Sequence, residues 1–166
     1  MTIKASQEKP MAERKLSMRI YESVLNDKLL EKLIAMSADW EAENSTYGYC
    51  RNTHNSLEGR RIFLAEEESV IWGYLFGKTD KTTQSSSIAP EGTPYFEIEE
   101  IYVSPEYRSR GIGKSLYRHV ENEMKEAEID YIMLSTATKD CRRILHFYID
   151  ELGMDFWYAR LFRKIG

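Results

Sequence analysis

The run of residues 97–115, EIEEIYVSPEYRSRGIGKS, carries the strongest chemical signal in the chain. It reads as a strand, a tight turn with two glycines, and the start of a helix. Gly111 and Gly113 let the backbone approach a ligand closely. The first N–H groups of a helix lack intrahelical partners, and its dipole favours negative charge there. Three cations surround the turn: Arg108, Arg110 and Lys114. The pattern predicts a site for a phosphorylated ligand, above all a pyrophosphate.

Two common phosphate-binding turns do not fit this spacing. Gly113-Lys114-Ser115 matches the end of a P-loop, but the glycine required five residues earlier is Arg108. A dinucleotide fingerprint needs a third glycine at position 116, which is leucine. The pattern that remains is Arg108-x-x-Gly111-x-Gly113.

That pattern resembles the coenzyme A pyrophosphate signature, [Q/R]-x-x-G-x-[G/A], of the GNAT acyltransferase superfamily. Residues 96–153 are similar to the family in the order of strand, Val103-x-Pro105, turn and helix. The resemblance implies an acetyl-CoA-dependent N-acetyltransferase that moves an acetyl group to a primary amine. It also implies an α+β fold with a mixed, mostly antiparallel central sheet, helices on both faces, and a splay between strands 4 and 5.

Hydrophobic periodicity supplies elements in a matching order. Strands are predicted at residues 16–21, 61–66, 69–78, 95–103, 131–135 and 155–165. Helices are predicted at residues 26–43, 113–127 and 140–152, with a weaker one within 44–55. Residues 79–94 are rich in Ser, Thr, Gly and Pro and are predicted to form a long loop, whose role as functional segment or flexible connection stays open.

The resemblance implies where the cofactor contacts lie. Backbone groups of Ile101, Tyr102 and Val103 are expected to pair with the pantetheine arm. The pyrophosphate is expected at Arg108, Ser109, Arg110, Gly111, Ile112, Gly113 and Lys114, with help from the hydroxyl of Ser115. Cys141 stands where the family often carries a cofactor-contacting asparagine.

An alkyl amine with a pKa of about 10.4 is almost wholly protonated at neutral pH, so acyl transfer to it needs a base. Strand alternation predicts Glu97 and Glu99 on one face and Glu100 on the other. We expect Glu97 to be the base and Glu99 its partner or substitute, as in branches of the family. Phe147-Tyr148 followed by Leu152-Gly153 resembles a family ending whose tyrosine protonates the departing thiolate, so Tyr148 is the expected acid.

The acceptor side is predicted from acidic and aromatic residues that precede the hairpin. Trp40, Glu43 and Glu100 are expected to bind the substrate, because carboxylates and aromatic faces attract cations. The expected substrate is a small cationic amine such as a polyamine, an aminoglycoside or an amino-acid-like molecule. A protein or peptide N-acetyltransferase, and an acyl-CoA-binding module without turnover, are the alternatives.

Composition limits the remaining classes. The 166 residues predict one domain, residues 1–166, with a loose N-terminal extension at residues 1–14. A net charge of −4 argues against nucleic-acid binding. No apolar run of 18 residues and no apolar signal core are present, so no membrane partner and a cytoplasmic location are expected. Two cysteines and three scattered histidines give no metal-site spacing. Aromatic residues near the C-terminus favour a homodimer, since an unpaired apolar strand is a liability.

Overall fold

The computed structural model describes residues 18–165. Five strands are present in this part of the chain: β1 (Arg19–Ser23), β2 (Arg61–Glu67), β3 (Val70–Lys81), β4 (Pro94–Val103) and β5 (Tyr131–Leu134). Its α-helices are α1 (Asp27–Glu43), α2 (His54–Leu57), α3 (Ile112–Glu126) and α4 (Cys141–Leu145). A short 3₁₀ helix covers Pro105–Tyr107, and α4 continues as a wider π-helical turn over His146–Glu151.

The strands form one sheet in the order β1-β2-β3-β4-β5. The first four strands pair antiparallel, and β5 lies parallel to β4. The predicted mixed, mostly antiparallel sheet is therefore confirmed. β2 and β3 form the expected hairpin, whose turn places Glu68 and Ser69 at positive φ.

Helices cover both faces of the sheet, as expected, and each face has its own core. One core joins the sheet to α3 and the segment after α4, through Phe63, Phe96, Leu116, Val120 and Tyr148 among others. The opposite core joins the sheet to α1 and α2, through Leu33, Met36, Leu57, Ile62 and Tyr74 among others. Neighbouring residues of β2 serve opposite cores because successive side chains of a strand point to opposite faces.

The two long helices begin in different ways. The side chain of Asn26 accepts a hydrogen bond from the Leu29 N–H at 2.9 Å and caps α1, which starts one residue after the predicted boundary. α3 has Gly111 at the capping position, and no side chain among residues 18–165 caps it. Its first backbone N–H groups are therefore left for a ligand or for water.

A β-bulge in β4 changes the direction of its glutamates. Phe76 pairs with Glu100 and its neighbour Gly77 with Ile98, so Glu99 is an extra residue on β4. Phe96 and Ile98 face the α3 side before the bulge, and Ile101 faces it afterwards. The prediction that Glu100 lies on the face opposite Glu97 is therefore wrong. Glu97 and Glu100 share the α1 face, and the inserted residue Glu99 accounts for the change.

The C-terminal segment also departs from the prediction. No strand lies within residues 153–165, so the expected strand at 155–165 is absent. Phe156, Tyr158 and Phe162 are 56%, 63% and 78% exposed. Aromatic content favours a strand only where a neighbouring strand supplies hydrogen bonds and packing, and no described strand pairs with this segment. A homodimer stays a prediction.

Smaller differences concern element boundaries. β1 begins at Arg19, and Leu16, with the predicted N-terminal extension 1–14, lies outside the described residues. β3 continues to Lys81, which shortens the predicted loop to residues 82–93. This loop is tied across its base, because the Thr82 N–H donates to Thr93 O at 3.0 Å. The predicted helix 140–152 is divided between α4 and the π-helical turn.

The bulge leads to a stability prediction for Gly77. A Cβ at this residue would lie 2.1 Å from the carbonyl oxygen of Glu97 and 2.8 Å from the Phe96 ring. Gly77→Ala should therefore lower the free energy of unfolding by at least about 1–3 kcal/mol, as overpacked sites do. Urea unfolding measures this change. Thr79→Ala, at an exposed position further along β3, is the control, with an expected change within about 0.5 kcal/mol. Equal stability of the two variants would contradict the close approach.

Candidate active site

A large cleft opens where β4 and β5 part. Pairing of the two strands ends at Ile98 and Leu134, whereas β4 runs on to Val103. Beyond Ile98, no described strand pairs with β4 on this side, so its backbone can pair with an extended ligand. The cleft holds about 790 Å³, within the usual range for small-molecule sites. The predicted splay between strands 4 and 5 is thus present.

The turn that follows β4 is fixed to the sheet at its start. The Ser104 N–H donates to Trp72 O at 2.9 Å, which extends the β3–β4 ladder by one bond. The ring of Tyr107 stacks on Trp72 with centroids 4.8 Å apart. The Tyr107 N–H in turn donates to Ser104 O at 2.9 Å and closes the 3₁₀ turn. The turn is therefore anchored before any ligand arrives.

Two glycines, Gly111 and Gly113, lie at the N-terminus of α3. Gly111 has a φ of +77°, a conformation that L side chains rarely adopt, and open space surrounds the position of its missing Cβ. A Cβ on Gly113 would lie 3.4 Å from the Phe147 ring, in van der Waals contact, so α3 and the π-helical turn pack closely at this residue. The uncapped N-terminus of α3 thus faces the cleft with little side-chain cover, as an anion requires.

The three cations of the turn occupy different positions. Arg108 donates from Nε to Val103 O at 2.7 Å, and its guanidinium forms a two-point ion pair with Glu43 at 2.6 and 2.9 Å. Lys114 lines the cleft and is exposed. Arg110 lies over the Tyr107 ring and donates to Glu106 O at 2.8 Å, outside the cleft lining. Of the three cations, Lys114 is therefore the one whose charged group is most available to a phosphate.

Glu100 is a buried carboxylate in the wall of the same cleft. It is 7% exposed, and three side chains donate to its Oε1: Tyr49 at 3.1 Å, Asn52 at 2.8 Å, and Tyr74. Its Oε2 accepts no hydrogen bond from another described residue. The three donors hold one oxygen in place, and the other oxygen is left for a ligand.

Burial has the largest effect on the pKa values of Glu100 and of its two tyrosine donors. It raises the pKa of Glu100 above the ordinary 4.5, although the hydrogen bonds from Tyr74, Asn52 and Tyr49 act in the opposite direction. Burial and the neighbouring carboxylate raise the pKa values of Tyr49 and Tyr74 as well, so both phenols stay protonated as donors. A carboxyl with a raised pKa next to a cleft is a candidate proton acceptor.

Tyr148 lies on the opposite wall, in the π-helical turn after α4. Its side chain is 8% exposed, and its hydroxyl has no hydrogen bond to another described residue. Burial, with a smaller contribution from Tyr117, raises the pKa of Tyr148 to about 12. The phenol is therefore protonated at neutral pH and available as a proton donor.

Only some of the other predicted site residues line the cleft. Glu99 lines the cleft, but its carboxylate pairs with Arg60 at 2.5 Å. Glu97 is half-buried and lies outside the cleft lining, as does the exposed Cys141. Ser115 and Arg110 are outside the lining too. The other nine residues of the predicted cofactor set border the cleft: Ile101, Tyr102, Val103, Arg108, Ser109, Gly111, Ile112, Gly113 and Lys114.

The end of α1 and the loop after it close one side of the cleft. Trp40 stacks on Tyr102 with centroids 5.4 Å apart and lies 4.3 Å from the Tyr49 ring. The loop is joined to the segment after β5, because Thr46 and Thr138 form a bridge and the Tyr47 N–H donates to Ala137 O at 2.9 Å. Aromatic rings and the carboxylates of Glu43 and Glu100 thus form one wall, which we call the acceptor wall.

The model of the acetyltransferase (GNAT) family matches residues 21–154. The chain belongs to the acetyltransferase (GNAT) family. No curated protein matches the chain significantly.

Solved structures agree with this GNAT assignment at the level of the fold. An aminoglycoside acetyltransferase from an uncultured soil metagenomic sample, in complex with trehalose, is 18% identical with a TM-score of 0.62 and covers 90% of this chain and 97% of its own. A predicted acetyltransferase from Clostridium acetobutylicum with acetyl-CoA is 18% identical with a TM-score of 0.62, covering 89% and 96%. A ribosomal-protein-alanine N-acetyltransferase from Brucella melitensis biovar Abortus 2308 is 14% identical with a TM-score of 0.61, covering 89% and 99%.

The donor set of this GNAT cleft fits acetyl-CoA. The uncapped N-terminus of α3 and Lys114 suit a pyrophosphate, and the unpaired edge of β4 suits an amide-bearing arm. Among residues 18–165, no cluster of His, Cys, Asp and Glu suited to a metal is present. No helix in the same range is both long and apolar enough to cross a membrane.

Sequence reasoning missed the residues that support Glu100. Tyr74 lies in an apolar run of β3, and Asn52 lies in a loop 48 residues before its partner. Neither has a local sequence signal, because the contact arises only when strand pairing and the loop after α1 bring them together. The β4 bulge was missed for a related reason, since it shows only in the register against β3.

The raised pKa of Glu100 predicts a pH-dependent effect on stability. An acid that binds its proton more tightly in the folded state favours folding at low pH, and this contribution is lost as the pH rises above 4.5. The stability of the wild type relative to Glu100→Gln should therefore fall between pH 4.5 and neutral pH. Urea unfolding of both proteins across this range measures the difference. Other titrating groups, such as Glu22 and Glu66, are present in both proteins, so their contributions cancel in the difference in stability. A difference that does not change with pH would contradict the raised pKa.

Proposed function

We propose that the protein is an acetyl-CoA-dependent N-acetyltransferase that acts on the primary amine of a small cationic molecule. One observation carries the proposal: the uncapped N-terminus of α3 and the buried carboxylate of Glu100 line one cleft. The N-terminus of α3 suits an anionic cofactor, and the carboxylate of Glu100 can accept a proton from an amine. Membership of the acetyltransferase family supports the reaction class.

The cofactor residues divide between backbone and side chain. Backbone groups of Ile101, Tyr102 and Val103 would hold the pantetheine arm along the open edge of β4. The N–H groups at the start of α3 and the ammonium of Lys114 would hold the pyrophosphate. Acetyl-CoA supplies the acetyl group as a thioester when it is bound.

We assign the base to Glu100, in place of Glu97 and Glu99. Its free Oε2 can accept a proton from the acceptor ammonium, and its raised pKa makes it a stronger base than an exposed glutamate. Glu99 is paired with Arg60, and Glu97 does not line the cleft. The carboxylate also attracts a cation before the reaction, so binding and deprotonation involve one group.

The proton donor in this proposal is Tyr148. Tyr148 lines the same cleft as Glu100, and a pKa of about 12 keeps its phenol protonated at neutral pH. A phenol in this position can protonate a departing thiolate. The absence of a hydrogen bond to any described residue leaves the hydroxyl free to donate.

The acceptor wall supports a cationic substrate. Trp40 and Tyr49 line it with aromatic rings, and Glu100 adds a carboxylate that is not paired with a cation. Aminoglycoside acetyltransferases among the structural neighbours are consistent with such substrates, and one of them is described in complex with sisomicin. A peptide N-terminus is the alternative acceptor, since a ribosomal-protein-alanine N-acetyltransferase shares the fold.

Substitution of Gly111 tests the cofactor site. Asp and Asn have similar sizes and both tolerate positive φ, so Gly111→Asp and Gly111→Asn differ chiefly in charge. A carboxylate beside a pyrophosphate costs on the order of 1–2 kcal/mol, so acetyl-CoA should bind Gly111→Asp about tenfold or more weakly than Gly111→Asn. Isothermal titration gives both Kd values. Equal affinities, or a wild type that binds no acetyl-CoA, would contradict the cofactor assignment.

Substitutions in the acid and base test the chemistry. Glu100→Gln should lower kcat/KM about 10²–10⁴-fold, the usual contribution of general acid–base catalysis, and Tyr148→Phe should lower kcat while acetyl-CoA affinity is kept. Thiol release is measured with a panel of polyamines, aminoglycosides, amino-acid amines and peptides. Glu97→Gln is the matched variant on the same strand. Loss of activity in Glu97→Gln with full activity in Glu100→Gln would restore the base expected from the sequence.

A further inference from the structure

Arg108 makes contacts in two directions. Its Nε donates to Val103 O at 2.7 Å, at the end of β4. Residues 104–111, between β4 and α3, are called the cofactor turn below. Its Nη1 and Nη2 donate to Oε2 and Oε1 of Glu43 at 2.9 and 2.6 Å. A guanidinium has five N–H donors, so three of them are already used within the protein. Arg108 therefore joins the cofactor turn to the last residue of α1.

Glu43 stands at a position that helix electrostatics disfavour. It is the last residue of α1, where the negative end of the helix dipole repels a carboxylate, and no basic residue lies in that last turn. Its Oε1 also accepts a hydrogen bond from the Tyr102 hydroxyl at 3.2 Å. Long-range partners thus compensate for a locally unfavourable choice, which indicates a role beyond helix formation.

The pair lies at the junction of the two substrate sites. Both residues line the cleft, and their side chains are only 31% and 24% exposed, so solvent screens the pair less than an open surface pair. The Arg108 guanidinium lies 5.4 Å from the centre of the Tyr102 ring. That ring stacks on Trp40, so the pair supports the aromatic part of the acceptor wall as well.

We infer that Arg108 and Glu43 are a positioning pair that holds the cofactor turn and the acceptor wall at a fixed spacing. Arg108 then acts by its geometry and not chiefly as a charge on the pyrophosphate, the role expected from the sequence. This inference rests on the proposed function. It predicts that loss of either partner weakens acetyl-CoA binding and acceptor use together.

Glu43→Gln is the decisive variant, because Gln keeps the size of Glu but loses the charge and one acceptor oxygen. A negative residue on α1 should oppose binding of an anionic cofactor, so simple charge removal predicts tighter binding of acetyl-CoA. The positioning pair predicts the reverse, with Kd for acetyl-CoA raised about fivefold or more, the low end of typical coupling between linked sites. KM for the acceptor should rise as well.

Arg108→Lys separates geometry from charge. Lys keeps the positive charge but cannot form the two-point contact with Glu43 together with the bond to Val103 O. Acetyl-CoA binding should therefore fall in this variant as it does in Glu43→Gln. In the double variant the two losses should be less than additive, since both remove the same link.

Glu41→Gln is the matched control, because Glu41 lies in the same last turn of α1 but pairs with Arg51 at 3.2 Å. It should leave acetyl-CoA affinity and acceptor KM unchanged. Thermal unfolding is measured for every variant. A midpoint well above the titration temperature shows that the variant is folded during the titration, so that a change in Kd reflects a local effect. If Arg108→Lys does not fold, Glu43→Gln still decides, since Gln has nearly the same size and shape as Glu.

Isothermal titration with acetyl-CoA and steady-state kinetics with the best acceptor give the outcomes. Raised Kd and KM in Glu43→Gln and Arg108→Lys, with unchanged values in Glu41→Gln, support the positioning pair. Wild-type Kd in either Glu43→Gln or Arg108→Lys overturns it and leaves the proposed function intact. A wild type that binds no acetyl-CoA overturns both.

Discussion

The parting of β4 from β5 after Ile98 is the constraint on which the site depends. A central strand normally has both edges paired, and an unpaired buried edge is costly. Here β4 keeps β3 on one side and faces a cleft on the other, from Glu99 to Val103. Because the first helix N–H groups of α3 open into the same cleft, one extended ligand can satisfy both the strand edge and the helix end.

The bulge at Glu99 determines the face of the sheet on which Glu100 lies, and so places a carboxylate in the wall of the cleft. Without an extra residue, alternation from Ile98 would place Glu100 on the α3 side, within an apolar core that offers a carboxylate no partners. With it, Glu100 turns to the α1 face, where Tyr49, Asn52 and Tyr74 can donate. A buried carboxylate is expensive unless it is hydrogen-bonded. Three donors on one oxygen meet part of that cost while the raised pKa persists, which is typical of a functional group.

Local patterns predicted most of the fold. The spacing of Leu29, Leu33 and Met36 predicted α1, and the glycine turn predicted the start of α3 to within one residue. Contacts between distant segments were the part that could not be predicted. The bulge depends on register against β3, and the cage of Glu100 depends on Asn52. The aromatic segment 155–165 has strand-like composition, but a strand needs a partner, which local sequence does not specify.

Charge placement explains how an acidic chain can offer a site for an anion. The net charge of −4 is a property of the whole surface, whereas binding follows the local field. Within the cleft, the helix start and Lys114 make one end positive, and Glu100 makes the acceptor wall negative. Arg108 and Glu43 meet at the boundary and neutralise each other there. In the proposed reaction, opposite potentials at the two ends of the cleft would draw an anionic cofactor to one end and a cationic amine to the other.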